Sequence, residues 1–267
     1  MSEMWLIFGL PLFAAVLGFV ALWPFSLKWR DVSIVDAIWG PGFFGQLCVV
    51  LWLSPSIGLH GWIVFGLVAV WSLRLSLVLI RRRVREGAED ARYQSIRASW
   101  GPSFWWKSLF IVFILQAVIQ WAIVLGPIAL LVSDPVTFSA IAWLGVVVAA
   151  LGLGLESLAD QELDRFKATA EHGDLCTGGL RAHVRHPNYT GEIVFWCGIA
   201  IIAVDAGAWL GLISPILLTL FLTRISGAPL LDERLQATRP AYPAYRARVP
   251  GFIPLLRPRT GQQLSGQ

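Results

Sequence analysis

The segment 177–192 carries the densest set of side chains that could bind a ligand. Its charged and polar members include Arg181, His183, Arg185, His186, Asn188 and Glu192. Pro187 favours a helix start, and a helix N-terminus attracts anions. A connecting loop rarely needs so many donors beside an apolar run, so we interpret the segment as a ligand site. Neither histidine is accompanied by a set of metal ligands, so no metal is expected.

Arginines on one predicted helix indicate an anionic ligand. Arg74, Arg81 and Arg85 recur at spacings of seven and four, which places them on one helix face. A guanidinium face turned into a helix bundle suits phosphate, because the planar group can donate two parallel hydrogen bonds. The alternative is that Arg74 extends along the helix to the membrane interface.

Asp36 lies near the start of an apolar run, where an ionisable group needs a partner or a function. It is followed by Gly-Pro-Gly at 40–42, which permits a kink or a close helix approach. Asp36 is therefore either an active-site carboxylate or a structural residue, such as a helix cap or a partner of Arg74.

Three further carboxylates enter the end of a later apolar run. Glu156, Asp160 and Asp164 are four residues apart and so share one helical stripe, where like charges repel. They form either a solvated helix extension or a set of acceptors for amide and ribose hydroxyl donors. Glu156 lies deepest and is the hardest to explain as a solvated residue.

Apolar runs must position these residues. The chain is 56% hydrophobic and 14% charged, with a mean hydropathy of +0.66, whereas a soluble domain carries about 25% charged residues. Runs long enough to span a bilayer fall at about 4–24, 33–54, 62–80, 108–132, 138–159, 189–205 and 209–222. We predict an all-α polytopic protein with about seven transmembrane helices in a single integral membrane domain, 1–267.

The basic residues predict the orientation. Apart from Arg74 and Lys107, every Lys and Arg falls in the segments 25–32, 81–103, 160–188 and 223–267. Cytoplasmic loops are enriched in Lys and Arg, so the N-terminus is predicted outside and these segments inside. The net charge of +4 is explained by these loops without a nucleic-acid partner. The polar residues above therefore collect on the cytoplasmic side.

A series of motifs follows in the second half of the chain: Gly178-Gly179-Leu180, His186-Pro187-Asn188-Tyr189, Gly191-Glu192, Trp196, Arg224 and Tyr242-Pro243-Ala244-Tyr245-Arg246. These motifs resemble the steroid 5α-reductase (3-oxo-5α-steroid 4-dehydrogenase) family, most closely its bacterial membrane branch. The stretches 33–43, 71–83 and 92–94 are similar to the same branch. The resemblance implies seven transmembrane helices around a cytoplasm-facing NADPH cavity. It also implies hydride transfer to a carbon–carbon double bond conjugated to a carbonyl.

The resemblance assigns roles to individual residues. It places Asn188 and Glu192 at the nicotinamide, with Trp196 in the cofactor pocket. The other cofactor-binding residues that it implies are Arg74, Arg83, Arg85, Asp160, Lys167 and Arg224, with Glu156 beside them. At the enone oxygen the steroid enzymes use a Gln-Glu pair and a Tyr, whereas this chain offers Asp36, the distant Gln46 and Trp71. The predicted catalytic residues are therefore Asp36, Trp71 and Glu192.

A second resemblance leaves an alternative open. Arg-His-Pro-Asn-Tyr-x-Gly at 185–191, together with Asp232-Glu233-Arg234, is also similar to isoprenylcysteine carboxyl and phospholipid methyltransferases, which bind S-adenosylmethionine. The basic face at Arg74 favours a cofactor with phosphates. We therefore expect an NADPH-dependent reductase of a lipophilic, steroid-like or enoyl substrate in a bacterial inner membrane. Its partners are the substrate and membrane lipid, and a monomer is compatible with this function.

Overall fold

The structure is a computed structural model that describes residues 2–54, 56–133, 136–171 and 173–255. All regular elements in these ranges are helical. Their candidate membrane spans are Met4–Trp29, Val32–Leu53, Leu59–Arg85, Ala91–Leu131, Ala140–Thr169, Pro187–Asp205 and Trp209–Thr238. The prediction of an all-α integral membrane protein with about seven spans is confirmed. Residues 256–267 of the predicted cytoplasmic tail lie outside the described residues.

The chain forms two compact units. Unit 1 contains residues 1–146 and 199–217, and unit 2 contains residues 147–198 and 218–267. The single domain predicted over the whole chain stays a prediction.

Unit 1 is built mainly from the first half of the chain. Its helices are α1 (Ser2–Trp29), a 3₁₀ helix (Val32–Ile38), α2 (Trp39–Leu53), α3 (Leu59–Glu86), α4 (Ala91–Trp100), α5 (Phe104–Ser108), a π-helical turn (Leu109–Ile114), α6 (Leu115–Leu131) and two further 3₁₀ helices (Gly101–Ser103 and Trp209–Leu212). Gly87 ends α3 in the left-handed conformation, with φ of 64°. Asp90 caps α4 by accepting a hydrogen bond from the Arg92 backbone N–H. The predicted loop 81–103 is thus the end of α3, a short turn and the whole of α4.

Close helix contacts in unit 1 depend on glycine. A Cβ placed on Gly40 would collide with the backbone oxygen of Ser72 and the hydroxyl of Ser76 on α3. A Cβ on Gly42 would overlap the side-chain amide of Gln120 on α6. The close approach predicted from Gly-Pro-Gly is therefore confirmed.

Unit 2 contains the later helices. Three helices contribute residues to both units: α7 (Ala140–Thr169), α8 (Pro187–Asp205) and α9 (Ile213–Leu220). The remainder of unit 2 comprises a 3₁₀ helix (Gly179–Ala182), a π-helical turn (Phe221–Ile225), α10 (Ala228–Thr238) and α11 (Tyr242–Arg248). Helix α8 begins at Pro187, as predicted.

A polar cluster in unit 1 joins three segments at the predicted outer face. Nε2 of His60, at the start of α3, lies 2.8 Å from a carboxylate oxygen of Asp205, at the end of α8. The Ser139 hydroxyl donates to the other oxygen of Asp205. Both members of the His60–Asp205 pair are buried. The pair therefore has a structural role in fixing these ends together.

Candidate functional site

The predicted site residues divide between the two units. Unit 1 contains Asp36, Trp71, Arg74, Arg83 and Arg85, and unit 2 contains Glu156, Asp160, Lys167, Asn188, Glu192, Trp196 and Arg224.

Asp36 is held by two residues of α4. One carboxylate oxygen accepts a hydrogen bond of 2.7 Å from the Tyr93 hydroxyl. The other oxygen lies 2.9 Å from a terminal guanidinium nitrogen of Arg92. In the structure, Arg92 and Tyr93 are therefore the partners of Asp36. The structural partner considered from the sequence is Arg74. The similarity over 92–94 was the one signal that could have identified them.

The contacts of Asp36 continue as a buried hydrogen-bond network. The Tyr93 hydroxyl accepts 3.0 Å from the Gln116 amide, whose oxygen accepts from the Trp39 indole. The Gln120 amide donates 2.9 Å to the Trp39 backbone oxygen, and the Gln46 amide donates 3.0 Å to Gln120. Buried polar groups are costly unless paired, so this network fixes their positions. Gln46, which is distant from Asp36 in sequence, thus belongs to the same network.

A second carboxylate orients Arg92. Asp90 lies 3.0 Å from Nε of Arg92 and 2.7 Å from a guanidinium nitrogen of Arg82. Burial alone would raise the pKa of Asp90, but the hydrogen bonds and charges of Arg92 and Arg82 lower it below its ordinary value. A cavity of about 30 Å³ lies among Asp36, Asp90, Arg82 and Arg83. That volume is enough for a water molecule.

The arginines of α3 have different environments. Arg74, Arg81 and Arg85 all fall on the continuous helix Leu59–Glu86, so the predicted shared face is confirmed. Arg74 is half-buried, whereas Arg81 and Arg85 are exposed. Arg83 pairs with Asp31 and donates 3.1 Å to the backbone oxygen of Ala88. Part of the hydrogen-bonding capacity of Arg83 is thus used within unit 1.

Trp71 is a core residue of unit 1. Its side chain is buried, and its ring meets Phe43 edge to face with centroids 5.2 Å apart. Aromatic pairs favour this geometry. The contact gives Trp71 a packing role beside the catalytic role predicted for it.

In unit 2, the predicted cofactor residues of α8 form one stripe. Asn188, Glu192 and Trp196 are four residues apart on a continuous helix. Asn188 and Glu192 are half-buried, and Trp196 is buried. The neighbouring Gly191 allows α8 to approach α7, because a Cβ there would lie 2.7 Å from the Glu156 backbone nitrogen. Glycine at position 191 is therefore explained by the close packing of α8 against α7.

The carboxylate stripe of α7 becomes more exposed along the helix. Glu156 is 2% exposed, Asp160 is half-buried and Asp164 is exposed. Lys167 is exposed close to the helix end at Thr169. A solvated helix extension explains Asp164. It does not explain Glu156, because that side chain is buried.

Several donors of the segment 177–192 are bound within unit 2. Gly179 adopts φ of +58°, and the next backbone N–H, that of Leu180, donates 2.9 Å to Glu162. Arg181 donates 3.0 Å to the Ala159 oxygen, and its own backbone oxygen accepts from Tyr245 at 2.7 Å. Burial raises the pKa of Tyr245 to about 12, although the charge of Arg181 opposes that rise. These contacts give the Gly-Gly turn and Arg181 a structural role.

Asp232 of α10 binds the Arg-His pair of the motif. One carboxylate oxygen lies 3.1 Å from Arg185, and the other lies 2.9 Å from Nε2 of His186. The Tyr242 hydroxyl of α11 also donates to Asp232. Burial, this hydrogen bond and the charge of Asp232 raise the pKa of Tyr242. Asp232 therefore joins the start of α8 to α10 and α11.

A comparison with known families places the chain in one of them. Residues 22–249 match the family described as Protein of unknown function (DUF1295). The chain belongs to this family. A search of the curated proteins gives no match. The motifs described above all lie within the matched residues.

The DUF1295 protein also has a large cavity in unit 2 that sequence reasoning missed. Its volume is about 740 Å³, and it lies between α10, Thr223 and the segment 251–252. Asp232 and Glu233 line it, together with Arg185 and Arg246. Asp232-Glu233 was the only feature of the sequence that indicated this cavity. Its shape depends on how α10 packs, which the sequence alone does not specify.

Proposed function

We propose that this DUF1295 protein is an NADPH-dependent reductase of a carbon–carbon double bond conjugated to a carbonyl in a lipophilic substrate. The cluster of Asp36, Tyr93 and Arg92 carries the proposal. It combines the Tyr93 hydroxyl and the Asp36 carboxylate, hydrogen-bonded at 2.7 Å, near the starts of two spans of an integral membrane protein. Reduction of a conjugated double bond requires a proton as well as a hydride, and such a pair can hold and transfer one.

The hydrogen-bond pattern favours proton relay over direct polarisation of the carbonyl by Asp36. A carboxylate that accepts from both Tyr93 and Arg92 has no proton of its own to donate. The Tyr93 hydroxyl is the proton-bearing member of the pair. Asp36 would therefore orient Tyr93 and return a proton to it from the adjacent small cavity.

The residues present fit a phosphate-bearing nicotinamide cofactor. In unit 2, the exposed cations Lys167 and Arg224 suit phosphates. Asn188 and Glu192 offer an amide and a carboxylate on one stripe of α8 for a carboxamide group. Bound NADPH would supply the hydride. Arg83 fits least well among the implied arginines, because it already pairs with Asp31.

The proposed reaction takes place at a membrane, because the chain has seven candidate spans. A lipophilic substrate would enter from the bilayer. From the distribution of basic residues, we propose that the cofactor side faces the cytoplasm of a bacterial cell. Membrane lipid and the substrate are the proposed partners.

A membrane methyltransferase that uses S-adenosylmethionine is the second candidate. The cavity of about 740 Å³ favours it, since Asp232 and Glu233 line that cavity. Against it, Asp232 already contacts Arg185, His186 and Tyr242, which leaves it little capacity to bind an ammonium group.

Thermal stability of the detergent-solubilised protein, measured with NADPH, NADH and S-adenosylmethionine, distinguishes the candidates. A ligand that binds only the folded state stabilises it by about 2.7 kcal/mol at a hundredfold excess over Kd. We expect NADPH to raise the melting temperature most. Stabilisation by S-adenosylmethionine alone, or by none of the three, contradicts the reductase proposal.

A variant tests the assigned cofactor contact. Glu192→Ala should leave membrane insertion intact and abolish the NADPH shift. Glu171→Ala, which removes an exposed carboxylate of the same unit, is the matched control and should keep the shift. An unchanged shift in Glu192→Ala removes Glu192 from the site.

A further inference from the structure

The cavity of unit 2 has the size of a ligand site. At about 740 Å³ it lies within the range of roughly 300–1,000 Å³ that is typical of small-molecule sites. Its walls come from Thr223 in the π-helical turn, from α10 and from Gly251 and Phe252. It thus lies where the apolar α9 gives way to the charged α10.

Two charged side chains that line the cavity, Glu233 and Arg246, are available to bind a ligand. Asp232 and Arg185 also line it, but they pair with each other at 3.1 Å. Glu233 makes no hydrogen bond or ion pair with any residue in the described part of the chain. Arg246 is half exposed; its Nε lies 3.9 Å from Asp232, and it donates 3.2 Å to Gln236. The remaining charges therefore suit a ligand that carries both a cation and an anion.

Exposed apolar side chains lie on α10 and just before it. Ile225 is 51% exposed and Leu230 is 40% exposed, and both lie in the sequence between Thr223 and Glu233. Such residues suit the boundary between headgroups and acyl chains. A ligand with an apolar body and a doubly charged head would match both features.

We propose that this cavity binds the headgroup of an amine-bearing zwitterionic phospholipid, such as phosphatidylethanolamine. The phosphate would accept hydrogen bonds from Arg246, and the ammonium would donate to Glu233. A simple anion fits less well, since Glu233 would repel it. A quaternary ammonium also fits less well, because it favours a cage of several aromatic rings, and Phe252 is the one aromatic residue lining the cavity among the residues that the structure describes.

Lipid addition to the delipidated full-length protein tests the site. Thermal shifts are measured with phosphatidylethanolamine, phosphatidylcholine and phosphatidylglycerol of identical acyl chains. We expect phosphatidylethanolamine to bind tightest. Arg246→Gln should weaken all three by about tenfold, the loss of one charge-assisted hydrogen bond. Glu233→Gln should remove the preference for phosphatidylethanolamine over phosphatidylglycerol.

Charge-matched variants outside the cavity control for bulk electrostatics. Arg248→Gln on α11 and Glu171→Gln remove the same charges from exposed positions and should leave the lipid order unchanged. Equal binding of the three lipids by the unmodified protein, or equal losses in these controls, overturns the proposal. Glycerophosphoethanolamine, added alone, should compete weakly; if it matches the intact lipid, the site takes a soluble zwitterion instead.

The proposal does not depend on the reductase reaction. The NADPH shift should persist in Arg246→Gln and Glu233→Gln, so a failed lipid test and a failed cofactor test are distinguishable. A shift with S-adenosylmethionine that Glu233→Gln abolishes would assign the cavity to a cofactor and contradict the lipid assignment.

Discussion

Two aspartates, one in each unit, are surrounded by the same kinds of residue. Asp36 accepts from Tyr93 and Arg92, and Asp232 accepts from Tyr242 and Arg185. Asp232 has a further contact, to His186 at 2.9 Å. The side chain of Asp36 is 23% exposed, whereas that of Asp232 is 11% exposed.

The difference lies in the unused acceptor capacity. A carboxylate has about four lone-pair sites, and the partners of Asp232 occupy most of them. Those partners come from the start of α8 and from α11, so Asp232 maintains the fold of unit 2. Asp36 has two partners among the described residues, so more of its acceptor capacity stays unused. The same constellation is therefore structural in one unit and a candidate reactive site in the other.

The largest effect is expected for Asp232→Asn. Removing the negative charge leaves Arg185 and His186 without their buried partner, which typically costs about 3–5 kcal/mol of folding free energy. Thermal and denaturant unfolding in detergent measure the loss. The neighbouring exposed Glu233→Gln should change stability by no more than about 0.5 kcal/mol. Equal losses in the two variants would contradict a structural role for Asp232.

A smaller stability effect is expected for Asp36→Asn. Its partners are more exposed, so the loss should be about 1–2 kcal/mol, and an NADPH shift should persist. If the reductase proposal holds, NADPH oxidation with lipophilic enones should fall by about 10²–10⁴-fold. Asp31→Asn, which weakens the Arg83 pair at the same 3₁₀ helix, is the control and should lose stability without a selective loss of turnover. Unchanged turnover in Asp36→Asn would make Asp36 structural, as Asp232 is.

The spans could be predicted from sequence, because the bilayer requires a long apolar run whatever packs against it. The start of α8 at Pro187 is equally local, since proline fixes φ and lacks a backbone donor. The sequence predicts a loop over 81–103, whereas this segment forms the end of α3 and the whole of α4. That helix carries Arg92 and Tyr93 to Asp36, 56 and 57 residues away in sequence. No local pattern encodes such a contact.

The motif at 185–191 shows a second limit of prediction from sequence. Residue types alone indicated a ligand site, because arginine and histidine bind anions. In the structure Arg185 and His186 bind Asp232, and Gly191 allows α8 to approach α7. Hydrogen-bond donors that bind a ligand and donors that stabilise the fold are the same residue types. Only the partner that each donor has in the tertiary structure distinguishes them. Asn188 and Glu192 stay predictions of cofactor contacts.

The smallest effect is expected for Asp90→Asn, which tests how Arg92 is held beside Asp36. The pKa of Asp90 is lowered in the folded protein, so its carboxylate stabilises the fold at pH above its ordinary value near 3.8. At neutral pH the variant should lose about 1 kcal/mol, because asparagine can still cap α4 and the Arg82 and Arg92 side chains are both more than one-third exposed. As the pH falls through the lowered pKa, the wild-type protein loses this contribution and the two melting temperatures should converge. Melting curves between neutral pH and pH 3 measure the difference, and a constant gap would show that Asp90 contributes no charge-dependent stability.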